Sequence, residues 1–166
     1  MMEVLSERLL FRPYNDNDID FLGSLLTNPN IVRYIGNGQT RDEEGIKKFL
    51  DWIYDTYSED ENYGLKMLLE KGSNKPIGHA GLIPQIINGT EEIEIGYWIS
   101  EEYWNRGFAT EAARGFLEYG KRLNVGKMIA LIQVNNIASQ KVAKKIGMQL
   151  EKEIILNGKG VFVYYC

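Results

Sequence analysis

Residues 92–112 constrain the fold more than any other part of the chain. From Glu92 to Ile99 the sequence alternates with a period of two. Ile93, Ile95, Tyr97 and Ile99 therefore face one way, and Glu92, Glu94, Gly96 and Trp98 the other, as along a β-strand. A short polar loop then leads into a helix whose first turn holds Gly107 and Ala109. Small residues there let a ligand approach the backbone, while the free N–H groups and the dipole of a helix start favour an anion. That is the physical chemistry of pyrophosphate binding without magnesium. A tight loop in which Gly107 only relieves crowding has the same spacing.

A second unit has a similar form. Met128 to Val134 is a nearly unbroken apolar run, as a strand covered on both faces requires. Asn135-Asn136-Ile137-Ala138-Ser139 follows it directly and opens a helix over Asn136 to Ile146, stopped by Gly147 at a left-handed cap. Taken locally, Asn136 is an N-cap, Ser139 lies in the first turn, and Lys144 and Lys145 are solvated.

The remaining elements fit around these two. Leu9 to Phe11, ended by Pro13, reads as a first strand. Asn15 or Asp16 caps a short helix carrying Ile19, Leu22, Leu25 and Leu26 on one stripe. Thr40 with Glu43 has the form of a capping box before Ile46, Phe49, Leu50, Ile53, Tyr54 and Tyr57, one face of a helix. Leu65 to Leu69 and Ile77 to Ile83 form a hairpin, and Met148 to Leu156 with Val161 to Tyr165 form the last one. Ala109, Ala112, Ala113, Phe116, Leu117 and Gly120 mark a helix face. The Gly115-to-Lys121 segment has Walker-type spacing, but Arg122 stands where Ser or Thr should bind magnesium, and the segment lies inside that helical pattern. The sum is a mixed α/β sheet with helices on its faces.

Composition bounds the chemistry. With 166 residues, 44% hydrophobic and 25% charged, the chain reads as a single globular domain over residues 1–166. A formal charge of −4 gives no general attraction to nucleic acid or to an anionic membrane. Cys166 is the only cysteine and His79 the only histidine, so neither a disulfide framework nor a Cys/His metal site can be built, and no metal is expected. The Met1-to-Arg8 start lacks the basic and apolar stretches of a secretory signal, and no apolar run spans a bilayer. A cytoplasmic protein is expected.

Taken together and in order, the motifs resemble the GNAT superfamily of acyl-CoA-dependent N-acetyltransferases. The resemblance is closest to the branch holding the ribosomal-protein N-terminal acetyltransferases and the polyamine and antibiotic acetyltransferases. It is carried by Glu7-Arg8-Leu9-Leu10-Phe11-Arg12-Pro13, Asn28 to Ile35, Ile77-Gly78, and Glu94-Ile95-Gly96-Tyr97-Trp98. The loop Tyr103-Trp104 to Ala112, and Asn136 with Ser139 ahead of Lys145-Ile146-Gly147-Met148, complete it. The match runs from about Glu7 to Tyr165.

The resemblance implies a central, splayed, mixed and mostly antiparallel sheet of about seven strands with about four helices, α/β (α+β) in class. It implies acetyl-CoA in the cleft between the Glu94 strand and the Met128–Val134 strand. N–H groups of Arg106, Gly107, Phe108, Ala109 and Thr110 would hold the pyrophosphate. Backbone of Tyr97, Trp98 and Ile99 would pair with the pantetheine arm, and Asn136 and Ser139 would flank the pantetheine and thioester. Arg106, Lys141, Lys144 or Lys145 would meet the adenine-side phosphate.

The sequence departs from that pattern twice. Trp104 stands where the loop usually begins with Gln or Arg. Ala143 stands where many relatives carry a tyrosine general acid, leaving Ser139, water, or no acid to serve the departing thiolate. An amine must be neutral to attack, and Glu94 is the candidate base through a water, with Glu92 in reserve. His79 reads as structural, and Tyr164 and Tyr165 as sheet packing.

The expected function is acetyl transfer from acetyl-CoA to a primary amine by direct attack in a ternary complex. The acceptor is a protein N-terminus, a polyamine or another small-molecule amine. Glu59, Asp60, Glu61, Glu91 and Glu92 would suit a cationic acceptor. The rival is a catalytically inactive acyl-CoA-binding regulatory module. Monomer and homodimer are both open.

Overall fold

Seven strands form one mixed sheet in the order β1-β2-β3-β4-β5-β7-β6 in the computed structural model, which describes residues 3–166; Met1 and Met2 lie outside the described residues. The strands are β1 (Leu9–Pro13), β2 (Gly64–Glu70), β3 (Pro76–Ile87), β4 (Thr90–Ile99), β5 (Met128–Gln133), β6 (Gln149–Leu156) and β7 (Lys159–Tyr165). Every neighbouring pair is antiparallel except β4 and β5. Helices α4 (Phe108–Arg122) and α5 (Ile137–Lys145) cover one face. Helices α1 (Ile19–Leu26) and α3 (Glu43–Glu59) cover the other.

The alternation of β4 is what separates these layers. Ile95 and Ile99 are buried against Phe108, Ala112, Phe116 and the rest of α4. Trp98, on the opposite face, packs with Phe49 and Ile53 of α3. The Asn88-Gly89 and Asn157-Gly158 turns of the β3–β4 and β6–β7 hairpins both have positive φ at both residues, the conformation a two-residue hairpin needs.

Two local expectations change. Helix α3 begins at Glu43, and its N-cap is Asp42, whose carboxylate accepts the Gly45 N–H at 2.8 Å. Thr40 lies two residues too early to cap it. Removing a capping side chain costs about 1 kcal/mol. Asp42→Ala should therefore lower the unfolding free energy by about that amount, and Thr40→Ala should leave it unchanged in the same denaturant titration. The second change is an unanticipated one-turn helix, α2 (Pro29–Val32), capped by Asn28, which makes five α-helices among the described residues. It matters because it forms one lip of the site.

Candidate active site

The ladder between β4 and β5 is short. Only Ile93 with Met128 and Glu94 with Ile129 are paired; beyond them the strands splay apart. The gap opens a cleft of about 880 Å³, walled by residues 94–99 of β4, Ala130 to Ile132 of β5, the starts of α4 and α5, and residues 30–35 around α2.

The direction of the β4 backbone follows from one bond. Ser100 donates its N–H to Ile77 of β3 at 2.8 Å. Since amide direction alternates along a strand, Trp98 also faces β3, whereas the N–H and C=O groups of Tyr97 and Ile99 face the gap. Trp98 is thus removed from the expected backbone edge, although its side chain still lines the cleft. The Ile99 carbonyl is also taken, by the indole N–H of Trp104 at 2.7 Å. Tyr97 N–H, Tyr97 C=O and Ile99 N–H remain for a ligand that adds itself as a strand.

At one end of the cleft stands the start of α4. Gly107 is its N-cap in the left-handed region, φ +81°, and no side chain caps the helix. The first helical bond runs from Glu111 N–H to the Gly107 carbonyl, so Phe108, Ala109 and Thr110 keep their N–H groups free of helical partners. Gly107, Phe108, Ala109 and Thr110 all line the cleft. Behind the loop, Glu111 accepts hydrogen bonds from Arg8 N–H and Arg8 Nε, each at 2.7 Å, and from the Ser6 hydroxyl. The Arg8 guanidinium lies over the Phe108 ring, 4.1 Å away. This clamp turns the one carboxylate in the first turn of α4 away from the free amides.

The splay point carries Glu94. Its carboxylate is half-buried, accepts the Gln85 Nε2–H at 2.8 Å and is hydrogen-bonded to the Leu131 backbone. Burial outweighs both bonds and raises its pKa to about 7, the range in which a general base works best. The reserve candidate, Glu92, is not a cleft residue; it is 3.6 Å from Lys127 in an ion pair.

Asn136 is the N-cap of α5, accepting the Ser139 N–H at 3.2 Å, and both residues line the cleft. Lys141 and Lys145 line it too, but Lys144 does not. Arg106 lies outside the wall, its guanidinium over Tyr103 at 5.2 Å and Phe108 at 5.5 Å. None of Glu59, Asp60, Glu61, Glu91 and Glu92 reaches the cleft. His79 is fully buried, hydrogen-bonded through Nδ1 to the Tyr14 hydroxyl at 2.6 Å, with burial pushing its pKa down to about 3. It is a neutral core residue. Tyr164 is core as well. No group of three or more His, Cys, Asp or Glu side chains among the described residues could hold a metal ion, and no helix among them is long and apolar enough to cross a membrane.

A family model described as an acetyltransferase (GNAT) domain matches residues 8–149. The chain belongs to the GNAT acetyltransferase family. Its relatives include an uncharacterized protein, YkkB, of Bacillus subtilis, 31% identical, with 98% of this chain and 94% of that protein covered. A GNAT-family acetyltransferase from Bacillus anthracis superposes with a TM-score of 0.82 at 27% identity, covering 99% of this chain and 98% of that one. A spermidine N-acetyltransferase from Vibrio cholerae, solved with CoA and spermine, shares the fold at a TM-score of 0.77 and 22% identity, covering 96% and 95% of the two chains. The family uses acetyl-CoA, and the cleft fits such a ligand: free amides meet it at one end, an unpaired strand edge runs along it, and a carboxylate stands at the splay.

Proposed function

We propose that this GNAT acetyltransferase moves an acetyl group from acetyl-CoA to a primary amine by direct attack within a ternary complex. The observation that carries the reading is Glu94, a half-buried carboxylate at the splay point of a cleft whose far end is an uncapped helix start. Phe108, Ala109 and Thr110 N–H groups, with that of Gly107, receive the pyrophosphate; Tyr97 and Ile99 backbone groups receive the pantetheine. Glu94 accepts the proton the amine loses, directly or through a water. The opening Glu7–Pro13 strand and the Asn28–Ile35 segment resemble the branch that holds both the ribosomal-protein N-terminal and the polyamine acetyltransferases, so protein N-termini and polyamines both enter the acceptor screen. As an α/β domain spanning residues 1–166, it works in the cytoplasm.

Titration calorimetry with acetyl-CoA, then a screen of N-terminal peptides and polyamines for thiol release, tests this. Binding with turnover supports the transferase. Binding with no turnover on any amine selects a non-catalytic acyl-CoA-binding module, and absence of binding rejects both.

The lysines offer a finer test. Lys141 and Lys145 face the cleft, so each Ala substitution should weaken acetyl-CoA binding about three- to tenfold at low salt, less as salt screens it. Lys144→Ala should leave the calorimetric affinity unchanged.

A further inference from the structure

The cleft is open through the sheet. Tyr97 packs on the α4 face of β4 and Trp98 on the α3 face, and both residues line the cleft. The free amides of α4 and the lysines of α5 stand on the first face, where the coenzyme phosphates belong. Glu94 shares the face of Trp98 by the alternation of β4, and α2, which packs on α1, walls the same side. The route left for an acceptor amine runs past α2. Charges along that route are unequal. Glu101 is committed, its carboxylate accepting hydrogen bonds from the Asn28 and Asn30 side-chain amides at 3.0, 3.1 and 3.2 Å. Glu94 is engaged by Gln85 and the Leu131 backbone and is reserved for the proton. Arg33 lines the cleft and has no carboxylate partner among the described residues. Its guanidinium lies over the Tyr34 ring at 5.2 Å, and that of Arg41 over Phe49 at 5.5 Å; Phe49 in turn touches Trp98. Two of the rings bordering the route therefore already carry a cation. A polyamine finds no row of free carboxylates here, whereas an anionic group finds an unpaired guanidinium.

Amine basicity points the same way. Only a neutral amine attacks, and near pH 7 roughly one α-amino group in ten is neutral, against fewer than about one alkylammonium in a thousand. The gap that a single carboxylate base must close is far smaller for the first. We propose that the acceptor is an α-amino group on a molecule that also carries a carboxylate, and that Arg33 selects it by pairing with that carboxylate. The inference rests on the acetyltransferase reading of the cleft and names its substrate class. A free acidic amino acid and the N-terminus of an acidic peptide share this chemistry. Arg33 acts on specificity and not on the reacting atoms. Its planar guanidinium offers paired N–H donors that match a carboxylate, while the amine lies at Glu94.

The test follows thiol release from acetyl-CoA with the amidated tripeptides Ala-Asp-Ala and Ala-Lys-Ala, free aspartate, and spermidine as acceptors. Wild-type protein should use Ala-Asp-Ala about tenfold better in kcat/KM than Ala-Lys-Ala, with spermidine poorer still, and the ratio should shrink as salt screens the pair. Whichever of free aspartate and Ala-Asp-Ala is the better substrate assigns the source, amino acid or peptide. Arg33→Gln should bring the two tripeptides to within about threefold of each other, and Arg33→Glu should invert their order, chiefly through KM. Acetyl-CoA affinity should stay within about threefold of wild type in both variants, so that the change reports on the acceptor. A wild-type preference for Ala-Lys-Ala or spermidine overturns the proposal, as does an Arg33→Glu protein that keeps the acidic preference. The acetylated tripeptides, titrated into the coenzyme A complex, read the same preference without turnover: tighter binding of the acidic product supports the Arg33 pairing, and equal binding overturns it. Protein that binds coenzyme A but transfers to no amine overturns the transferase reading, a result that the product titration keeps distinct.

Discussion

Gly107→Val should weaken acetyl-CoA binding by about two orders of magnitude while leaving the fold intact. Gly107 has φ +81°, where an L-residue loses about 1–2 kcal/mol and a β-branched one more. A Cβ built there also comes within 3.3 Å of an Arg8 guanidinium nitrogen, which is already committed to Phe108 and Glu111. The chain relieves this by rotating the loop, and the N–H groups of Phe108, Ala109 and Thr110 rotate with it. Each hydrogen bond to a charged oxygen is worth about 1.5–3 kcal/mol, so misaligning two of them costs about 3 kcal/mol or more, the two orders of magnitude expected. Gly107→Asn supplies the control. Asparagine tolerates the left-handed region, and this chain already places Asn74, Asn88, Asn105, Asn124 and Asn157 there. It should retain most of the affinity. Calorimetry on both proteins, with melting curves to confirm folding, separates backbone conformation from side-chain bulk. Equal binding by wild type and the Gly107→Val protein would place the phosphates somewhere else.

That loop is legible in the sequence because everything it needs is local: a strand of period two, a left-handed glycine and a helix start. The same holds for the Asn136 and Gly147 ends of α5, both found where expected, with Asn136 accepting from Ser139 and Gly147 at φ +92°. The misreadings share a different cause. The α2 turn spans only Pro29–Val32, too few residues to show helical periodicity, so the sequence hides the lip of the cleft. Thr40 with Glu43 and Asp42 with Gly45 are competing caps two residues apart, and the register that Phe49, Leu50 and Ile53 need to reach the core decides for Asp42. Lys144 differs from Lys141 and Lys145 only by rotation about α5, which packing against the sheet sets.

The Tyr97–Ser139 contact shows the limit most clearly. Tyr97 and Ser139 lie 42 positions apart and meet only because β4 and β5 splay. In the sequence, Tyr97 is one apolar-face residue of an alternating strand and Ser139 one first-turn serine. The missing tyrosine at Ala143 and the serine at 139 are readable; the contact between Ser139 and Tyr97 is not. Asp60 and Glu61 illustrate the converse. By composition they suit a cationic acceptor, yet they sit beside buried Lys66, whose ammonium donates to the Glu61 and Tyr63 carbonyls.

Glu94→Gln should reduce kcat by about a hundredfold to a thousandfold, and the same change should stabilise the protein at alkaline pH. Glutamine keeps an oxygen for the Gln85 amide, so the geometry survives while the base is lost. In wild type, with the carboxyl titrating at about 7, kcat/KM should fall about tenfold per unit as pH drops below that value. Any slope left in the Glu94→Gln protein then belongs to the acceptor ammonium. The stability effect has the opposite sign. The folded-state pKa lies above the ordinary value of 4.5, so the folded chain holds this proton more tightly than the unfolded chain. Its contribution is complete below about pH 4.5 and is lost as pH rises through 7, where an ionised carboxylate must be kept in a half-buried place. Wild-type protein and the Glu94→Gln variant should therefore melt together near pH 4 and separate toward pH 8, the variant being more stable by about 1–2 kcal/mol after allowance for solvent in the cleft. A variant that lost activity without gaining stability at high pH would show a carboxylate that is solvated in the folded protein, and the raised pKa on which its role as base depends would be gone.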